Sequence, residues 1–180
     1  MPTLHPTNSY NVESTLSNWF QTQLAALTAP PSIPTTAVIF NFPDNGIVPP
    51  AISLMHLPVG NYSNFQGRNV DTATNVKGVA AHGLIDISVW VSRDYAAGAA
   101  SGERNENWAQ DLMLLNAAVK QVFIATPTIA ISDYTTAASP SATTYKINIG
   151  DCVAVPTSPD PNPAIMRQRY NVSYEWIVRV

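Results

Sequence analysis

The sequence predicts an α+β fold: a mainly antiparallel β-sheet with two amphipathic helices packed on one face, in a single domain. Three observations carry this reading. The closing stretch MRQRYNVSYEWIVRV, residues 166–180, alternates apolar and polar residues with period two, the mark of a half-buried strand. Two windows, residues 12–29 and 103–125, repeat their apolar residues at helical spacing. The remaining strand-like segments outnumber the helices and follow one another through short turns, which favours antiparallel pairing over alternating βαβ units.

The elements follow in chain order. Residues 1–10 are polar with two prolines and read as a flexible arm. Asn11 is placed to cap a helix over residues 12–29, whose stripe is Val12, Leu16, Trp19, Phe20, Leu24 and Leu27. The prolines of APPSIP end it. TTAVIFNF (35–42) is β-branched and aromatic, hence a strand. A turn through Asp44, Asn45 and Gly46 leads to AISLMHL (51–57), read as its hairpin partner. Residues 58–78 show no apolar period and read as an extended loop, a length that points to function or interaction.

GLIDISVWVSR (83–93) returns to alternation. Ile85, Ile87, Val89 and Val91 share one face; Asp86, Ser88, Trp90 and Ser92 share the other. The second helix, from Glu103 to Ala125, carries the stripe Trp108, Leu112, Leu115, Val119, Val122 and Phe123, with Glu103 and Glu106 favoured by the dipole in its first turn. Short strands follow at 128–135 and 144–155, the latter with Gly150 as a candidate bulge. PTSPDPNPA is a stiff exposed loop. The last strand is the longest. Its fifteen residues would reach about 50 Å at about 3.3 Å per residue, which suits the central rib of a sheet. Its apolar parity is expected against the Trp19/Leu24 and Trp108/Leu115 stripes.

Composition narrows the function. Charged residues make up 12% of the 180, half the usual ~25%. Such a surface suits either burial among neighbours in an assembly or a Ser/Thr/Asn-rich secreted or viral protein. The net charge of −3, without a basic cluster, speaks against tight nucleic-acid binding. The apolar runs are shorter than the ~20 residues of a membrane span. Residues 1–14 lack the basic and apolar regions of a signal peptide, so synthesis without export is expected. Cys152 is the single cysteine, so no internal disulfide forms, and the sequons at Asn61 and Asn171 read as chance matches.

No catalytic, cofactor or metal site emerges. His5, His56 and His82 are scattered, and Cys152 lacks both a CxxC partner and a helix N-terminus. His56 reads as a strand residue satisfied by a neighbour, and Cys152 as structural. Glycines are too widely spaced for a phosphate loop. Asp86, Asp94, Asp133 and Asp151 lie on or beside strands and are the residues an Asp-dependent hydrolase would use. Each is equally well a solvated strand residue.

The segments NVESTLSNWFQTQLAAL, GLIDISVWVSR, ENWAQDLMLLNAAVKQVF and RQRYNVSYEWIVRV, in this order, resemble the tail terminator (tail completion, neck) proteins of tailed phages. The closing strand is similar to the arginine-then-alternating-aromatic strand with which such chains often end. The Pro-rich loop before it is longer than that pattern. The resemblance implies a non-enzymatic structural protein of the virion, assembled in the host cytoplasm into a ring, typically a hexamer. Such a ring caps the tail tube, stops its polymerisation and presents a docking surface to the head-completion or connector protein. Genomic DNA passes through its lumen without specific binding, and no membrane or cofactor is involved. A neighbouring connector or tube subunit is the alternative within this class, and the Asp-dependent hydrolase the alternative outside it. Contact residues are expected at Tyr62, Phe65 and Arg68 in the long loop, at Asp44 and Asn45 in the turn, and at Arg167, Arg169 and Arg179 on the polar face of the last strand.

Overall fold

The closing alternation becomes an inner strand of the sheet, flanked on both sides. The computed structural model describes residues 5–25, 38–40, 49–57, 62–71, 76–93, 107–136, 140–156 and 164–179. The elements are α1 (Ser9–Ala25), β1 (Val38–Phe40), β2 (Ala51–Leu57), β3 (Tyr62–Asp71), β4 (Val76–Ser92), α2 (Trp108–Ala125), β5 (Thr128–Asp133), β6 (Ser141–Val155) and β7 (Ile165–Arg179). The sheet order is β1-β2-β4-β7-β6-β5, with β3 pairing β4 outside that path. From β2 to β5 every neighbour is antiparallel. The α+β class holds.

The length of β7 is explained by β4. The two pair from Gly78↔Arg179 to Ser92↔Ile165 without a break, so each long strand satisfies the backbone of the other. Because paired residues share a face, Ile85 and Ile87 of β4 stand beside Val172 and Tyr170 of β7, all buried. Ile52 and Leu54 of β2 extend this layer on one side, and Ile129, Ile131 and Ile147 on the other. Both helices cover it: Val12, Leu16, Phe20 and Leu24 from α1, and Leu115, Val119, Val122 and Phe123 from α2. Phe20 and Phe123 stack at 5.1 Å between centroids and join the helices to each other. Each such side chain contributes roughly 1.5–3 kcal/mol by leaving water.

Two close approaches mark where side-chain size is restricted. The Tyr174 ring lies over Gly83, where an added Cβ would fall 2.0 Å from Tyr174 Cζ. The expected bulge at Gly150 is present, since the β6–β7 register shifts between Ile149 and Cys152. There the Asp151 N–H donates to Ser173 Oγ at 3.0 Å, and Ser173 Oγ occupies the space a Cβ at Gly150 would need, 2.4 Å away.

Five expectations are corrected. Helix α1 starts at Ser9, because Asn8 rather than Asn11 caps it: Asn8 Oδ1 accepts the Asn11 N–H at 3.0 Å. The Asn11 side chain is fully buried and tied elsewhere, to Pro6 O, Asp133 Oδ1 and the Tyr134 N–H. Second, residues 5–8 of the arm are docked. Thr7 is buried, its carbonyl accepts from Trp176 Nε1 at 3.0 Å, and the His5 ring meets Tyr145 edge-on. Third, the interval 58–78 contains strand β3, which pairs with the front of β4 at Tyr62↔Ala81 and Asn64↔Val79. The front of β4 itself begins at Val76. Fourth, β1 and β2 are parallel, Val38↔Ile52 to Phe40↔Leu54, so they are no hairpin. Fifth, α2 begins at Trp108 after Asn107 in a turn, not at Glu103, so the acid of its first turn is Asp111. The turn residues 44–46 and Glu103 and Glu106 lie outside the described residues.

Candidate assembly surfaces

The polar parity of β7 meets the polar parity of β4 on the side of the sheet away from the helices. The register places Arg167 opposite Trp90, Arg169 opposite Ser88 and Asn171 opposite Asp86. Long side chains reach the diagonal neighbour across an antiparallel pair, and both arginines do so. The Arg167 guanidinium lies 4.5 Å from the Trp90 ring centroid, and its Nε and Nη2 donate to Ser88 Oγ at 3.1 and 2.9 Å. Trp90 Nε1 in turn donates to Ser53 Oγ on β2 at 3.1 Å. Arg169 engages Asp86 with two nitrogens, Nε to Oδ1 at 3.3 Å and Nη2 to Oδ2. Asp86 is only 4% exposed, so Arg169 supplies the charge that lets a carboxylate sit in the middle of the sheet. That hydrogen bond also raises the Arg169 guanidinium above its ordinary value.

Among the expected contact residues, then, Arg167 and Arg169 are half-buried and bonded within the chain. Arg179 ends β7 opposite Gly78. Tyr62, Phe65 and Arg68 fall within β3. Asp44 and Asn45 lie outside the described residues. The pairing of Asp86 with Arg169 had a signal in the sequence, since both sit on the polar parity of long strands. Only the strand order makes them neighbours.

Among the described residues the aspartates do not converge. Asp86 faces away from the helices. Asp133 ends β5 beside α1, where Asn11, Thr135 and Thr136 donate to it and hold its carboxyl well below the usual range. Asp151 is exposed at the β6 bulge, and Asp94 lies outside the described residues. His56 Nε2 pairs with Ser17 Oγ at 3.0 Å, its ring stands edge-on to Tyr174, and Nδ1 is buried with no partner among the described residues. Burial lowers its pKa to about 4. The imidazole therefore stays neutral at physiological pH. Burial pushes the Cys152 thiol up, the wrong direction for a nucleophile. Among the described residues no group of three metal-ligating side chains comes together, and no helix is long and apolar enough to cross a membrane.

What the sequence reading missed is the outer face of α2. Met113 is 72% exposed and Ile124 78%. With exposed Ala117 they lie on one face at helical spacing, opposite the buried Leu115, Val119, Val122 and Phe123, and the exposed Lys120 stands on the same face between Ala117 and Ile124. Leu114 is exposed beside it. The signal was present: in WAQDLMLLNAAVKQVFIA only Asp111 and Lys120 are charged.

No family model matches the chain, and no curated protein matches it. A solved structure described as "Virion of native gene transfer agent (GTA) particle" contains a chain that is 16% identical, with a TM-score of 0.43. The alignment covers 96% of this chain and 100% of that one.

Proposed function

We propose that this chain is a structural virion protein of a tailed phage, a ring-forming tail terminator that caps the tail tube. The observation that carries the assembly part of this reading is the exposure of three large apolar side chains of α2, Met113, Leu114 and Ile124, in a chain with only 12% charged residues. Burying these side chains against a neighbour removes apolar surface from water at roughly 25 cal/mol per Å². The terminator role comes from the resemblance of element order and closing strand. The ring, typically a hexamer, stops tube polymerisation on one face and offers the head-completion or connector protein a docking surface on the other. A net charge of −3 is compatible with DNA sliding through the lumen without sticking.

The alternative within the class is a tube or connector subunit. Against the hydrolase alternative stand the opposite placement of Asp86 and Asp133 and the hydrogen bonds that already occupy each carboxylate. Negative-stain imaging of the purified protein with and without tail tube subunits tests the reading. Rings that cap tubes support a terminator; open-ended filaments of this chain alone would reassign it as a tube subunit.

A further inference from the structure

The two edges of the sheet are treated differently. At β5 the outward backbone groups are closed by α1: Thr15 Oγ1 accepts the Ser132 N–H at 2.9 Å and donates to Ser132 O, and Asn11 Oδ1 accepts the Tyr134 N–H at 2.9 Å. Side chains of one helix thus block strand addition there. Strand β5, however, covers β6 only as far as Asn148. The Ile149 N–H donates to Pro127 O at 2.9 Å, just past the end of α2. Beyond it, residues 150–155 of β6 have β7 as their one strand neighbour among the described residues, pairing with it at 152–155 after the bulge at Gly150 and Asp151. This free length is GDCVAV, uncharged apart from Asp151, with Val153 57% exposed. Ile124, on the exposed stripe of α2, stands three residues before Pro127, where this edge begins. From Cys152 to Val155, past the bulge and Asp151, the edge is uncharged and uncovered among the described residues, and such an edge is a template for another strand.

At the other end of the sheet, β1 pairs only with β2 among the described residues, and its sequence, VIF, is uncharged. We propose that the open edge of β6, residues 150–155, receives β1 of a second copy of this chain, so that the sheet continues from subunit to subunit. Two features select this occupant. Strand direction is the first. β1 is parallel to β2, and three successive antiparallel steps through β4 and β7 lead to β6, so β1 and β6 run in opposite senses. In a cyclic assembly whose copies all point the same way, the neighbour's β1 therefore meets β6 antiparallel, the more stable pairing. Face is the second. Positions 38 and 40 are in register with Ile52 and Leu54, while Cys152 and Ala154 are in register with Val172 and Tyr170, and these partners all belong to the helix-side layer. Joining the edges in phase keeps every helix on one side of a continuous sheet, as rotation about a ring axis requires. The inference rests on the ring reading and specifies how the ring closes.

The test is hydrogen–deuterium exchange on the full chain, monomeric and assembled, together with two variants. Assembly is expected to slow exchange about tenfold or more in peptides covering residues 150–155 and 38–40. Val153→Lys puts a charge on the free edge and is expected to raise the assembly concentration about tenfold or more, with an unchanged thermal midpoint. Thr144→Lys, on the stretch of β6 already covered by β5, should leave assembly as it is. Rings that form with residues 150–155 exchanging at monomer rates, or with 150–155 protected and 38–40 not, overturn the proposed joint and leave the ring reading standing. A chain that stays monomeric at every concentration, with and without tube subunits, overturns both.

Discussion

Acidification should weaken this fold through His56, and the size of the effect follows from its surroundings. The imidazole sits between α1 and β7, with Ser17 Oγ 3.0 Å from Nε2, the edge-on Tyr174 ring and no partner for Nδ1 among the described residues. Burial lowers its pKa from 6.5 to about 4. The unfolded chain therefore binds a proton that the folded chain refuses between those values, so stability is complete above 6.5 and falls as the pH drops toward 4. Between about pH 7.5 and pH 5 the loss is about 2 kcal/mol, and it approaches about 3 kcal/mol at lower pH. Of the other groups around the ring, the Tyr174 phenol is raised by burial and stays neutral throughout. The Glu13 carboxyl is also raised by burial; its sign is opposite, favouring the fold as pH falls, so it offsets part of the loss. The assay is urea unfolding at fixed ionic strength over that pH range, for the natural chain and for His56→Gln. The variant retains the Glu13 contribution and removes the imidazole, so the difference in slope isolates His56. Equal slopes for the two proteins would refute the reasoning.

Arg169→Ala should cost about 3 kcal/mol in urea unfolding, because it leaves the Asp86 carboxylate buried without its partner; the double variant Asp86→Asn/Arg169→Met should recover most of that loss, and failure to recover would mean the pair has another role. Asn11→Ala removes the acceptor of the Tyr134 N–H and a donor to Asp133, with an expected loss of about 1–3 kcal/mol, visible as faster exchange at residues 132–136. Met113→Glu with Ile124→Lys should change monomer stability by no more than about 0.5 kcal/mol, since both side chains face solvent. The same pair should abolish self-association in light scattering, and undiminished association would remove α2 from the interface.

Periodicity makes the helix stripes and the strand faces legible in the amino-acid order itself. Val12 to Leu24 and Trp108 to Phe123 face the sheet as their spacing demands, and the parity of residues 83–93 separates Ile85 and Ile87 from Asp86 and Ser88. Strand β3 stays hidden because Tyr62–Asp71 shows no apolar alternation, and the signal that betrays a strand is the burial of one face. The parallel partnership of β1 with β2 stays hidden because a turn sequence between two strand-like runs reports local preference alone. The cap is displaced by three residues for a tertiary reason: Asn8 and Asn11 are equally good caps in isolation, but Asp133 and the Tyr134 N–H claim Asn11.

The closing strand shows where the boundary lies. MRQRYNVSYEWIVRV contains, in its own alternation, the statement that it is a strand, that Tyr170, Val172, Tyr174 and Trp176 go inward, and that Arg167 and Arg169 take the opposite side. These are consequences of backbone pleat, which every residue obeys locally. That β4 lies beside it for its whole length, that Arg169 thereby finds Asp86 and Arg167 finds Trp90, and that residues 152–155 of β6 have no second strand neighbour among the described residues are decided only by the order of strands across the sheet. Strand order comes from long-range burial and pairing, which compare alternative partners far apart in the chain, and no local period records that comparison.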